Sequence, residues 1–244
     1  MQLIQDLRVI SHLTLRRVSG NDHASRLDSF YDGQASDYDG FRKRLLTGRE
    51  ELVDSLSIPT GGTWIEMGGG TGAMIERLAI PENERLKDLG RVEIVDLCKP
   101  LLNVAQQRID RNAWNNVHAI EADATTYQPA QKADVVVFSY SLTMIPDWFA
   151  AIENAIKMLK PDGLLGVVDF YVSRKHPDED LAKHGVLTRV GWPAWFGFDN
   201  VFPSPDHLPL LRRRLDTVSL TETRAKVPFL PFVRVPVYRF VGRR

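Results

Sequence analysis

Residues Trp64-Ile65-Glu66-Met67-Gly68-Gly69-Gly70-Thr71-Gly72 join an apolar run, one carboxylate and four glycines. Glycines at such a turn let the backbone swing sharply, and they let a ligand reach backbone N–H groups with no Cβ in the way. The chemistry this suits is the cradling of a nucleotide-like ligand. Two kinds of ligand compete for it. Gly68-x-Gly70-x-x-Ala73 satisfies the relaxed dinucleotide fingerprint, in which the loop faces a pyrophosphate. Glu66, two positions before the first glycine, has no charge partner on a pyrophosphate and suits a ligand that carries an ammonium group.

Such a loop works only between a strand and a helix, and the surrounding pattern supplies both. Short apolar runs recur at Arg91–Leu97, Val117–Asp123, Ala133–Tyr140 and Leu164–Tyr171. They lack clean polar alternation, as strands buried on both faces do. Helical stretches lie between them. One carries Leu101, Leu102, Ala105 and Ile109, another carries Trp148, Ile152, Ile156 and Leu159, and a third is expected over Ala73–Leu78 directly after the glycines. A helix bearing Leu45, Leu52, Val53 and Leu56 ends near Pro59. This is the alternation of a doubly wound α/β domain. Near the end it breaks: Thr217–Val227 and Val233–Val241 read as a hairpin about Pro228–Pro231 that finishes the sheet. Residues 1–28 stand apart, with Leu3, Leu7, Ile10 and Leu13 at helical spacing among Arg8, Arg16 and Arg17. That amphipathic segment docks on the domain or a second subunit, or lies on a membrane.

With Glu66 ahead of the glycines, the chain over about residues 30 to 175 resembles the class I methyltransferases that use S-adenosylmethionine. Their first motif reads apolar, apolar, Glu/Asp, x, Gly, x, Gly, x, Gly. The resemblance implies a Rossmann-like, mostly parallel seven-stranded sheet with an antiparallel last strand, which the terminal hairpin suits. It also implies roles. Glu66, Gly68 and Gly70 bind the donor. Asp96, ending the second strand beside Leu97, holds both ribose hydroxyls, a carboxylate being a natural bidentate acceptor for a diol. Asp123, with Ala124, receives the adenine amino group. Ser139 and Tyr140 end the fourth strand beside the methyl donor, and Leu159-Lys160-Pro161-Asp162-Gly163 matches the turn into the fifth. Asp96 and Asp123 also have a plainer reading as solvated carboxylates at loop starts, and Lys160–Gly163 as an ordinary turn. Upstream, Phe30–Arg42 is an aromatic and acidic cluster similar to the segment that closes over the donor in many small-molecule members. Tyr31, Tyr38 and Arg42 are its candidates, Arg42 for the donor's carboxylate. The alternative is a helix-capping segment whose tyrosines pack.

That upstream cluster, the late Trp192-Pro193-Ala194-Trp195-Phe196 and the terminal VPFLPFVRVPVYRFVG together resemble a narrower group, the BtaB-type N-methyltransferases of betaine-lipid synthesis. The resemblance implies three successive methylations of diacylglycerylhomoserine to diacylglyceryltrimethylhomoserine. Methyl transfer is an in-line displacement, so alignment supplies much of the rate and no metal is required. The quaternary ammonium of the last step has no N–H to donate, and facing rings stabilise it by about 0.5–2 kcal/mol each. Tyr31 and Tyr140 are therefore placed at the reacting nitrogen, with Tyr171, Trp192, Trp195 and Phe196 toward the substrate and residues of about 173–204 as a lid. His176, His184 and His207 are possible proton acceptors, or ordinary loop histidines. A soluble amine or a quinone-like molecule is the alternative acceptor.

Composition limits the rest. The 244 residues hold 31 basic and 31 acidic side chains, 43% hydrophobic residues and one cysteine. A lone Cys98 excludes a disulfide framework and a thiolate zinc cluster, and points to a cytoplasmic protein. Zero net charge argues against nucleic acid as a partner. No apolar run approaches the roughly 20 residues of a membrane span, and the start lacks a signal-peptide pattern. Past residue 207, nine basic residues face only Asp216 and Glu222. That basic end suits peripheral contact with anionic headgroups on the inner face of a membrane, or a sheet edge guarded by charge. A homo-oligomer, and pairing with the aminocarboxypropyl transferase that makes the precursor, are further expected partnerships.

Overall fold

The computed structural model describes residue 25 and residues 45–80, 84–197, 200–227 and 230–244. Its elements are α1 (Arg49–Ser55), β1 (Thr63–Met67), α2 (Arg85–Asp88), β2 (Arg91–Asp96), α3 (Lys99–Asn112), β3 (Val117–Glu121), β4 (Ala133–Ser139), α4 (Trp148–Met158), β5 (Leu159–Phe170), α5 (Val186–Phe196), α6 (His207–Arg214), β6 (Asp216–Val227) and β7 (Leu230–Arg243). The seven strands form one sheet in the order β3-β2-β1-β4-β5-β7-β6. Strands β1 to β5 pair in parallel, β7 runs antiparallel to β5, and β6 pairs antiparallel with β7 at the edge. This is the doubly wound sheet with an antiparallel last strand that the sequence leads one to expect.

Strand periodicity divides the core. Trp64, Ile94, Val135 and Val137 join one buried layer with Leu52 and Val53 of α1 and Leu102, Ala105 and Ile109 of α3. Their neighbours Ile65, Val95, Val136 and Phe138 join the opposite layer with Ile152 and Ala155 of α4 and Leu208 and Leu211 of α6. Successive strand residues point to opposite faces, so runs apolar throughout require helices on both sides. In this strand order the chain leaves β1 toward β2 and β3, then crosses back to β4 and β5. The crevice at the carboxyl ends of β1 and β4 is the switch point where α/β sheets bind ligands.

Two local expectations need correction. Ala73–Leu78 forms only a single 3-10 turn, Ile75–Arg77. Gly72 at φ +67 bounds the stretch on one side and the proline at position 81 on the other, since the residue before proline is driven out of the α region. Strand β5 starts at Leu159, ahead of Leu164. The Lys160–Gly163 turn is a bulge within it: Ala133 pairs with Leu159, Val135 pairs with Leu164, and Asp162 sits at φ +61. No helix among the described residues is long and apolar enough to cross a membrane.

Candidate functional site

A cavity of about 260 Å³ opens at the switch point, walled by the loops that leave β1, β2, β3 and β4. Its floor is the glycine loop. Gly68 and Gly69 donate to the carbonyl of Val95 at 2.8 and 3.1 Å, tying the loop to β2. Gly68 lies at φ +67, and a Cβ there would stand 2.5 Å from the Cβ of Ser141, so only glycine fits. Ser141 in turn donates its hydroxyl to the carbonyl of Met67 at 2.8 Å. Beyond the glycines, Arg108 of α3 donates to the carbonyl of Thr71 and pairs with Glu76 at 2.7 Å.

The carboxylates divide into those already held and one that is not. Asp96 receives Gly70 N–H on Oδ2 and Cys98 N–H on Oδ1, each at 2.8 Å, which fixes its plane at the cavity edge. A carboxylate held in that plane is a natural bidentate acceptor for a diol. Asp123 receives the Thr125 N–H and hydroxyl on Oδ1 at 2.8 and 2.7 Å. Glu66 is buried on the cavity wall, and its Oε2 has no hydrogen-bond partner. Burial pushes its pKa up to about 8, the Arg49 guanidinium opposes this, and Asp96 adds to it. A buried carboxyl left short of one partner is costly and calls for a cation or donor from outside the chain.

Arg49 is the residue that motif reasoning missed. It opens α1, lines the cavity, donates from Nε to the hydroxyl of Ser139 at 2.8 Å, and sits 5.6 Å from the centroid of the Tyr140 ring. Its only signal in the sequence was the Gly48-Arg49 pair at a helix start. Tyr140 lies at φ +55, an uncommon conformation for a non-glycine residue, immediately after β4. Its hydroxyl donates to the carbonyl of Thr47 at 2.6 Å, and burial holds the phenol well above its ordinary pKa. Tyr140 therefore offers the site a ring face and not a proton acceptor.

The structure thus brings Glu66, Gly68, Gly70, Asp96, Leu97, Asp123, Ala124, Ser139 and Tyr140 to one cavity, together with Arg49, Met144, Ile145 and Asp147. Tyr31, Tyr38 and Arg42 lie outside the described residues, as does the segment 1–28 apart from residue 25. Trp192 and Phe196 stand one layer back. Tyr140 packs on Phe170 at 4.7 Å between ring centroids, Phe170 on Phe196 at 4.9 Å, and Phe196 on Trp192 at 5.4 Å. Trp195 neighbours Trp192 at 6.5 Å and is 58% exposed. Tyr171 is placed elsewhere, which corrects its substrate role. Strand alternation turns it away from Phe170, and its hydroxyl donates to Glu222 at 2.5 Å. The histidines are not brought to the site as proton acceptors. None lines the cavity. His184 accepts the Ser173 N–H at 2.9 Å, and burial against Trp148 and Tyr238 drives His207 down to about 3.

Comparison with known proteins places the chain in a family and a fold. A curated relative, the ubiquinone/menaquinone biosynthesis C-methyltransferase UbiE of Coxiella burnetii, is 23% identical over 167 residues, covering 66% of this chain and 65% of the relative. The chain thus matches just under two thirds of that protein's length. Among solved structures, the N-methyltransferase NodS from Bradyrhizobium japonicum superposes with a TM-score of 0.56 at 20% identity, over 87% of this chain and 99% of that one. Phosphoethanolamine N-methyltransferase 2 of Haemonchus contortus, solved with S-adenosyl-L-methionine, gives 0.67 at 14% identity, over 93% and 60%. These structures share the fold. Residues 38–214 match the family described as Methyltransferase domain, and the chain belongs to that family.

Proposed function

We propose that the chain binds S-adenosylmethionine in this cavity and methylates the amine of diacylglycerylhomoserine, three times in succession, at the cytoplasmic surface of a membrane. The observation that carries the donor half is the buried, unpartnered Oε2 of Glu66 on the same cavity wall system as the Arg49 guanidinium. A carboxyl and a guanidinium together match the ammonium and carboxylate of an amino-acid tail. Asp96, held edge-on by two N–H groups, suits a ribose diol, and Asp123 suits an adenine amino group.

When bound, S-adenosylmethionine supplies an electrophilic methyl group on sulfur. The chain's own residues bind and align. Tyr140, Ser141, Met144 and Ile145 form the cavity wall after β4, and the ring of Tyr140 is the group offered to a cationic nitrogen. The Phe170–Phe196–Trp192 stack stiffens that ring from behind. The amine must shed its proton to attack, and the free carboxylate beside it keeps its pKa above the peptide α-amino reference of about 7.7–8.0, so readying it at pH 7 costs more than about 1 kcal/mol. Water can take the proton.

The UbiE likeness favours a second reading, methylation of carbon on a quinone-like acceptor. Transfer of labelled methyl decides between them. Incorporation into diacylglycerylhomoserine, ending at the trimethylated product, is the expected result. Activity confined to quinone-like acceptors or to water-soluble amines removes the lipid reading. In the lipid reading the enzyme follows the aminocarboxypropyl transferase that makes the precursor.

A further inference from the structure

The β6–β7 hairpin overruns the sheet at the end that carries the cavity. Strand β5 ends at Phe170, opposite Val237 of β7. Beyond that point Val235, Arg234 and, after a register shift, Leu230 pair only with Ala225, Lys226 and Val227 of β6, a reach of about 13 Å from Thr223 to Val227 at about 3.3 Å per residue. Because β7 is antiparallel to β5, its beginning lies beside the carboxyl ends of the parallel strands, where the cavity opens.

One face of the overrun is anchored. Ala225 and Val235 are buried, and Val227 packs on the core layer that also contains Phe196 and Trp192. The other face is not. Phe232 is 96% exposed and Val233 is exposed beside it. Lys226 and Arg234, both exposed, are cross-strand partners. Like charges placed directly opposite destabilise a strand pair, and neither has an ion-pair partner among the described residues. Arg224, also exposed, adds a third positive charge on β6. Charge on a sheet edge can serve only to block edge pairing, but an aromatic ring left in solvent beside it works against that purpose.

Helix α5, which follows β5 at the same end, adds a second exposed apolar face, with its one cation half-buried. Its inner residues Trp192 and Phe196 stack toward Phe170, while Val186, Leu187 (89% exposed), Val190 and Trp195 face solvent. Arg189 is the helix's one charged residue. An apolar face with cations at hand and tryptophan at its margin is the composition of an element that lies in a lipid interface.

We propose that this end of the molecule docks on an anionic lipid bilayer. Phe232 and the outer face of α5 enter the interfacial layer, and Arg224, Lys226 and Arg234 meet the headgroups. The proposal rests on the lipid-acceptor reading and deepens it, since it names the surface that would bring the cavity mouth to the membrane.

The test is co-sedimentation of the full chain with vesicles of phosphatidylcholine alone and of phosphatidylcholine mixed with phosphatidylglycerol. The chain is expected to follow the anionic vesicles. The double variant Lys226→Gln, Arg234→Gln should reduce partitioning about 30-fold, two charges at about 1 kcal/mol each. Phe232→Ser should reduce it about tenfold on either vesicle. Both variants should keep donor affinity, and the double variant should melt no lower than the parent because it removes a like-charge pair. Sedimentation with neither vesicle, or variants that sediment like the parent, overturns the proposal. So does a parent that is dimeric by light scattering, with monomeric variants and no vesicle binding, which assigns the face to a second copy of this chain. Methyl transfer to diacylglycerylhomoserine dispersed in detergent is scored separately. Its absence with vesicle binding intact counts against the acceptor alone, and its presence with vesicle binding absent counts against the docking face alone.

Discussion

Glu66 and Asp96 are both cavity carboxyls, yet their surroundings set them to different tasks. Asp96 is held by two N–H groups, so replacing it removes ligand contacts and releases the glycine loop together. Asp96→Ala should weaken donor binding at least 100-fold by calorimetry, the loss of two charge-assisted hydrogen bonds at about 1.5–3 kcal/mol each. Glu66 is poised near 8 and is mostly protonated in the free protein at pH 7. An ammonium ligand favours its ionised form, so binding expels a proton. Donor affinity should therefore rise about tenfold per pH unit toward pH 8, where the ligand's own α-amino group begins to lose charge. Glu66→Gln should flatten that profile, and calorimetry in buffers of different ionisation enthalpy should show the proton release disappear. A profile that is flat in the parent would remove Glu66 from the ammonium site.

At the scale of elements, the wall behind Tyr140 depends on packing that no motif announces. Asp169, on β5, is fully buried and accepts the Thr143 hydroxyl at 2.8 Å and the Thr143 N–H at 3.2 Å. It thereby fixes the 3-10 turn Leu142–Met144 that carries part of the cavity rim. Helix α5 supports the other side through Phe196 on Phe170. Trp192→Ala is expected to lower kcat/KM for the acceptor about tenfold while leaving donor affinity unchanged, because Trp192 backs the ring stack and does not line the donor cavity. Equal losses in donor and acceptor binding would show that α5 supports the fold alone. The glycine loop is less forgiving. Gly68→Ala adds about 1–2 kcal/mol of left-handed backbone strain and forces a Cβ toward Ser141. A fall in melting temperature with loss of donor binding is the expected result.

For the molecule as a whole, buried titratable groups set the response to pH. Glu66 and Asp169 rise from 4.5 and 3.8 to about 8 and about 7, chiefly through burial. Across those windows the folded chain binds more protons than the unfolded one, so stability is lost as pH rises. His207 acts in the opposite sense. Its fall from 6.5 to about 3 makes stability increase with pH over that range and then level off. Among the described residues these carboxyls dominate between about pH 6.5 and 8, and the melting temperature of the free protein should decline there by scanning calorimetry. The double variant Glu66→Gln, Asp169→Asn should show no such decline.

Periodicity, glycine placement and strand-end carboxylates made the fold class and the donor half of the cavity legible before any coordinates. Those features are local: a run buried on both faces, a turn that only glycine can take, an acid at the end of a strand. Glu66, Asp96 and Asp123 could be found because each is fixed by its distance from a strand. Arg49 could not, since it reaches Ser139 and Tyr140 across some 90 residues of sequence by the packing of α1 against β5 and β7. The same long-range packing set Glu222 against Tyr171 and Phe196 behind Tyr140. Strand alternation determines which face a residue takes, but only the assembled sheet decides what stands opposite it.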